Sequence, residues 1–158
     1  MPRITTFLTY EDRAQEAAEH YVSIFKSSRI LDTTRYPTDA GPNKTGDVMT
    51  VEFELDGQRF IALNGGDHFK FSDAISLSVE CKTQQEVDDY TRRLTEGGGE
   101  VGPCGWVTDR FGMSWQVTPT ILIEMIADKD PARSKRVMEA MMTMKKLDIE
   151  ALKRAYAG

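Results

Sequence analysis

The feature that most constrains this chain is a repeat: the order strand, helix, strands occurs twice in 158 residues. Self-similarity of that kind indicates two copies of one supersecondary unit. In the first copy, residues 4–10 read as a strand, with Ile4 and Leu8 on one face and Thr5, Phe7 and Thr9 on the other. Ala14, Ala17, Ala18, Tyr21, Val22 and Phe25 then recur at the spacing of an amphipathic helix. Thr9 or Asp12 is its expected cap, and Ser27 and Ser28 end it. Residues 29–36 are strand-like and 37–46 are a loop rich in Pro, Gly, Asn and Asp. Residues 47–64 alternate as a hairpin around Asp56-Gly57, a strong two-residue turn signal. That register sets Glu54 opposite Arg59 as an ion pair. It also places Phe60, Ala62 and Asn64 on the face of Phe53, Val51 and Met49.

The second copy begins at residues 74–81, where Ile75, Leu77, Val79 and Cys81 alternate with Ser76, Ser78 and Glu80. Thr83-Gln84-Gln85-Glu86 is a capping box, Val87, Tyr90 and Leu94 form a helical stripe, and Gly97-Gly98-Gly99 ends the helix. Residues 100–106 lead into a hairpin that is expected to turn at Asp109-Arg110-Phe111-Gly112, a four-residue turn that sets Trp106 opposite Trp115. Beyond Pro119 the pattern changes. Residues 120–127 are apolar, as a strand or a short helix, Pro131 starts a helix, and Asp148 caps a last one with Ile149, Leu152 and Tyr156 inward. Val137, Met138, Met141, Met142 and Met144 crowd one side of the tail, as core and in part as a subunit contact.

Composition closes off several functions. The net charge is −5 and the cations are scattered, which argues against a phosphate-binding groove and hence against nucleic acid. The cluster Lys145, Lys146, Lys153 and Arg154 sits among Asp148 and Glu150 as a solvated face. No stretch approaches the roughly 20 apolar residues of a membrane helix, and the N-terminus runs straight into a strand pattern, so neither a membrane partner nor a signal peptide is expected. Cys81 and Cys104 lack disulfide-scaffold or metal spacing and fit a reducing cytoplasm. Cys81 closes an apolar strand as a buried thiol; Cys104 lies in a Gly-Pro-Cys-Gly loop.

The doubled unit resembles the vicinal oxygen chelate superfamily of glyoxalase, bleomycin-resistance and dioxygenase relatives, and within it the PhnB-like, demethylubiquinone methyltransferase-like branch. The resemblance is carried by Ile4-Thr5-Thr6-Phe7-Leu8, residues 17–25, Leu55-Asp56-Gly57-Gln58, Leu63-Asn64-Gly65-Gly66 and Gln85-Glu86-Val87-Asp88. Its most specific part runs from Cys104-Gly105-Trp106 through Asp109-Arg110-Phe111-Gly112-Met113-Ser114-Trp115-Gln116, and Met141-Met142 with Lys146-Leu147-Asp148-Ile149 extends it into the tail. It implies an α+β fold: paired βαβββ modules forming a curved mixed sheet, helices on the convex face, a cup on the concave one, and C-terminal helices. Module one is expected at about residues 1–70, module two at about 71–118 and the helical tail at about 119–158, within one glyoxalase-like domain.

The resemblance also implies a divalent metal held in the cup by His and Glu. The ligand positions fall here on Thr5, Ser76 and Gln116, none of them His or an acid. The expected cup lining is therefore neutral: Thr5, Phe7, Thr9, Asn64, Ser76, Ser78, Trp106, Ser114 and Gln116. His20 reads as a helix-surface residue and His68 as a loop one. A methyltransferase site on a Rossmann-like sheet needs a glycine loop after a strand, whereas the glycine run at 97–99 follows a helix. The reading is a metal-free, cofactor-free cup for a small molecule in a cytoplasmic homodimer. Two alternatives stand beside it. One is an enzyme of lyase or dioxygenase type, using a metal or Cys104, Asp109 or Glu80; the other is a homodimeric interaction module acting through its Met-rich tail.

Overall fold

A computed structural model describes all 158 residues. The chain forms two compact units, Met1–Lys70 and Phe71–Gly158. In the first, strand β1 (Thr6–Tyr10), helix α1 (Ala14–Ile24), and strands β2 (Arg29–Arg35), β3 (Val48–Leu55) and β4 (Gln58–Asn64) form a four-stranded sheet of order β1-β4-β3-β2. The second unit repeats the plan with β5 (Ser76–Cys81), α2 (Gln84–Thr95), β6 (Glu100–Val101), β7 (Trp106–Thr108) and β8 (Ser114–Pro119), in the order β5-β8-β7-β6. In each sheet the first and last strands of the unit pair in parallel and the remaining pairs are antiparallel. The repeat expected from the pattern is thus present in strand order as well as in element order.

Local chemistry accounts for most element ends. Asp56 (φ 48) and Gly57 (φ 81) both hold positive φ between β3 and β4, the geometry of the hairpin turn that matches strand twist. Glu54 does lie opposite Arg59, but Arg59 reaches diagonally to Glu52, and Glu54 pairs instead with Arg29, its direct partner on β2, at 3.2 Å. Helix α2 opens as its capping box requires, Thr83 Oγ1 accepting from Glu86 N at 3.1 Å. The Glu86 carboxylate accepts from Lys82 N at 2.7 Å, one residue short of the reciprocal position. Helix α1 differs from expectation. Neither Thr9 nor Asp12 caps it; its first residue, Ala14, donates its N–H to Asn64 Oδ1 at 2.8 Å, from the far end of β4.

Each sheet is covered on one face by its own helix. In module one, Leu8, Tyr10, Val51, Phe53, Phe60 and Ala62 are buried with Ala14, Ala17, Ala18 and Tyr21 of α1. In module two, Val107, Trp115, Val117 and Cys81 are buried with Val87 and Leu94 of α2. The tail is helical throughout: α3 (Thr120–Ile126), α4 (Pro131–Met141) and α5 (Ile149–Ala157). The apolar segment after Pro119 is therefore helix as far as Ile126, with Ala127 as its C-cap, and Asp130 and Asp148 cap the next two helices. Leu122, Met125, Val137, Leu147 and Leu152 form a buried cluster with Met141 and Met144 packed against it, whereas Met138 and Met142 stay exposed. The methionine stripe is thus part core and part surface. No helix is long and apolar enough to cross a membrane.

Candidate functional site

The face of module two turned away from α2 is polar and laid out in rows by the strand register. Ser76, Ser114, Thr108 and Glu100 are successive Cα partners across β5, β8, β7 and β6, and Ser78, Gln116 and Trp106 form the next row. Glu80 and Thr118 close it at one end. Alternation puts all of these on one side of the sheet. Gln116 Nε2 donates to Ser76 Oγ at 2.9 Å, linking adjacent rows. Ser114 lies on this face but is buried, its Oγ donating to Asp73 Oδ1 at 2.8 Å under the loop that precedes β5. The accessible part of the surface is therefore Ser76, Ser78, Gln116 and Trp106, four of the residues expected there, with the exposed carboxylates Glu80 and Glu100 at its margins. Thr108 and Thr118 join them, by the same alternation that was available in the sequence.

Trp106 reaches this face because the hairpin register differs from the expected one. Trp106 pairs with Gln116, and Val107 pairs with Trp115. The turn has three residues at its tip, Arg110, Phe111 and Gly112, closed by Asp109 N donating to Met113 O at 2.9 Å, with Gly112 at φ 92. A one-residue slip moves a side chain to the other face, so the two tryptophans part company: Trp106 stays half-exposed, and Trp115 is buried against the helix side. Asp109 holds that register. It is 2% exposed, and its carboxylate accepts from Phe111 N (2.9 Å), Met113 N (3.0 Å) and Trp115 Nε1 (2.9 Å). An acid filled by three protein donors is a structural anchor and no general base.

In module one the expected lining divides. Phe7 is 52% exposed on the face away from α1, with Thr9 beside it. Thr5 is half-buried just before β1. Asn64 is on the other face: it is 6% exposed, with Oδ1 on Ala14 N and Nδ2 donating to Val48 O at 3.0 Å. The assignment of Asn64 to the cup lining is corrected on that ground, because both ends of its amide serve the scaffold. The neighbours of Phe7 across the open face are Ile61 and Glu52, and those of Thr9 are Leu63 and Thr50. These were not singled out from the sequence, although the hairpin alternation already separated them from Val51 and Phe53.

The residues present do not fit a divalent metal at the positions the resemblance implies. Ser76 and Gln116 are neutral and bonded to each other, and no group of three His, Cys, Asp or Glu is placed to hold a metal. The glycine run does not fit a methyl-donor loop either. It follows α2 and leads into β6, and a Cβ on Gly99 would stand 2.4 Å from Thr108 O. Burial, and secondarily the charge of Glu86, pushes the Cys81 thiol up to about 12. In the folded chain one thiol, Cys104, is therefore expected to react with a thiol reagent near pH ~8 while Cys81 does not; two fast-reacting thiols in a stopped-flow trace would contradict this.

A family model described as 3-demethylubiquinone-9 3-methyltransferase matches residues 2–118. A PhnB protein from Bacillus cereus, described with the same methyltransferase name, is 34% identical; the match covers 75% of this chain and 100% of that one, with a TM-score of 0.63. Protein PA1353 from Pseudomonas aeruginosa is 19% identical over 75% of this chain and 98% of its own, TM-score 0.62. The fosfomycin resistance protein FosX from Listeria monocytogenes is 16% identical over 78% of this chain and 97% of its own, TM-score 0.52. The last two share the fold. No protein of curated function matches the sequence.

Proposed function

Because the chain belongs to the 3-demethylubiquinone-9 3-methyltransferase family, a PhnB-like branch of the vicinal oxygen chelate superfamily, we propose that it binds a small, uncharged organic molecule on the open face of module two without a resident metal. The observation that carries this is the Gln116–Ser76 hydrogen bond at 2.9 Å. It occupies two of the positions where relatives of this fold would need metal ligands, and it leaves hydroxyls, an amide and the Trp106 ring at the centre of the contact surface, with Glu80 and Glu100 at its margins. Neutral donors and acceptors around one aromatic suit orientation of a ligand. General acid–base catalysis needs a tuned His, Glu or Lys instead. We place the protein in the cytoplasm on the strength of its two free cysteines. We also infer a homodimer, in which exposed Met138 and Met142 of α4 would meet a second copy.

A thermal-shift screen against aromatic and lipophilic metabolites, run beside elemental analysis of the purified chain, tests the reading. Ligand-induced stabilisation is expected, with Trp106→Ala weakening it by about 1 kcal/mol, roughly fivefold in affinity. Stoichiometric Zn, Mn, Fe or Ni would overturn the metal-free part, and a ligand indifferent to both Trp106→Ala and Gln116→Ala would overturn the site. For the assembly, Met138→Lys with Met142→Lys is expected to reduce the mass measured by light scattering to that of one chain.

A further inference from the structure

The tail lies beyond the residues matched by the family model, yet the segment between α4 and α5 is bonded directly to the turn that precedes Trp106. Cys104 N donates to Met144 O and Gly105 N to Lys145 O, both at 2.8 Å. Both turn residues are left-handed, Cys104 at φ 58 and Gly105 at φ 83, a conformation that a residue with a Cβ seldom adopts without such support. Gly105 is also boxed in: a Cβ there would stand 2.8 Å from Leu147 Cδ1 and 2.8 Å from Val117 O. The next residue is Trp106, extended at φ −71 and ψ 141, with its carbonyl accepting from Gly102 N at 2.8 Å.

The same segment is held from its other side by one side chain of α2. Gln84 Nε2 donates to Leu147 O at 3.0 Å, and its Oε1 accepts from Ile149 N at 2.8 Å. Nε2 also donates to Asp88 Oδ1 at 3.0 Å, and Asp88 pairs with Lys146 Nζ at 2.8 Å. The chain of contacts runs without a gap from Gln84 through residues 144–149 to Cys104 and Gly105, and so to Trp106.

We infer that residues 144–149, locked by Gln84 as a positioning residue, form a strap that sets the Trp106 ring on the open face of module two. The tail thereby tunes what that face binds. This rests on the reading of the face as a binding surface, but its test needs no ligand, so the two can fail separately. Gln84→Ala is made in the full chain, with Lys146→Ala as a surface variant that leaves the core untouched. Amide exchange at Cys104 and Gly105 is expected to quicken about tenfold in Gln84→Ala. Acrylamide quenching of Trp106, taken as the difference from the Trp106→Phe chain, is expected to rise with it, while buried Trp115 stays shielded. Lys146→Ala is expected to move both readings the same way by less, and it decides the matter if Gln84→Ala does not fold. Exchange at native rates in the variants, or faster exchange with unchanged Trp106 quenching, overturns the proposal.

Discussion

Asp109→Ala is expected to destabilise the chain by about 4 kcal/mol, enough to leave a small domain of ordinary stability largely without margin. Three N–H groups lose an ionised acceptor at once: two from the turn backbone and the indole of Trp115. Hydrogen bonds to charged groups are each worth about 1.5–3 kcal/mol, and buried donors left unpaired are penalised further; the three share one acceptor, so their sum is not reached. Asp109→Asn separates the roles. Its amide oxygen can still accept from Phe111 N and Met113 N, but an amide NH2 then faces the Trp115 N–H, donor against donor, and about 2 kcal/mol is expected. Urea denaturation followed by Trp115 fluorescence measures both. A loss under about 1 kcal/mol in Asp109→Ala would show that the turn keeps its register without the carboxylate.

The second large effect is at Asn64. Asn64→Ala is expected to cost about 3 kcal/mol, since it removes the cap on Ala14 N, strips Val48 O of its donor and leaves a small void in a buried site. Asn64→Asp keeps the acceptor for the helix N-terminus, where a negative charge is favoured. It loses the donor to Val48 and buries a carboxylate, so it is expected to fall between the parent and the alanine variant at neutral pH. The measurement that matters is paired: stability by denaturation and ligand response by thermal shift. A scaffold role predicts lower stability with the ligand-induced increment retained. Unchanged stability with the increment abolished would return Asn64 to the binding surface.

At these two residues local sequence patterns do not determine the structure. Asn64 sits on the same strand face as Phe60 and Ala62, as the alternation requires. What the alternation could not say is which face of the hairpin α1 would cover, because Ile61 and Leu63 on the opposite side are as apolar as Phe60 and Ala62. Once α1 is in place, its unpaired N-terminal amide needs an acceptor, and only the folded sheet brings one from fifty residues downstream. In the second hairpin, the segment 109–113 is compatible with a three- or four-residue turn on composition alone. The choice is made by an Asp side chain bonding forward to residues two, four and six places on, and it decides which tryptophan is on the open face.

Local signals carried the remainder. The Asp56-Gly57 turn, the Thr83–Glu86 cap, the Pro131 start, the Asp148 cap and the doubled order of elements are determined by residues within a turn or two of one another. Each is found where the sequence places it. The identity of the open face and the use of Asn64 depend on groups far apart in the chain satisfying one another's hydrogen bonds, and the partner of Trp106 depends on the buried Asp109 carboxylate choosing between two turns that composition leaves open. That is a condition of the buried interior, and only the tertiary structure meets it.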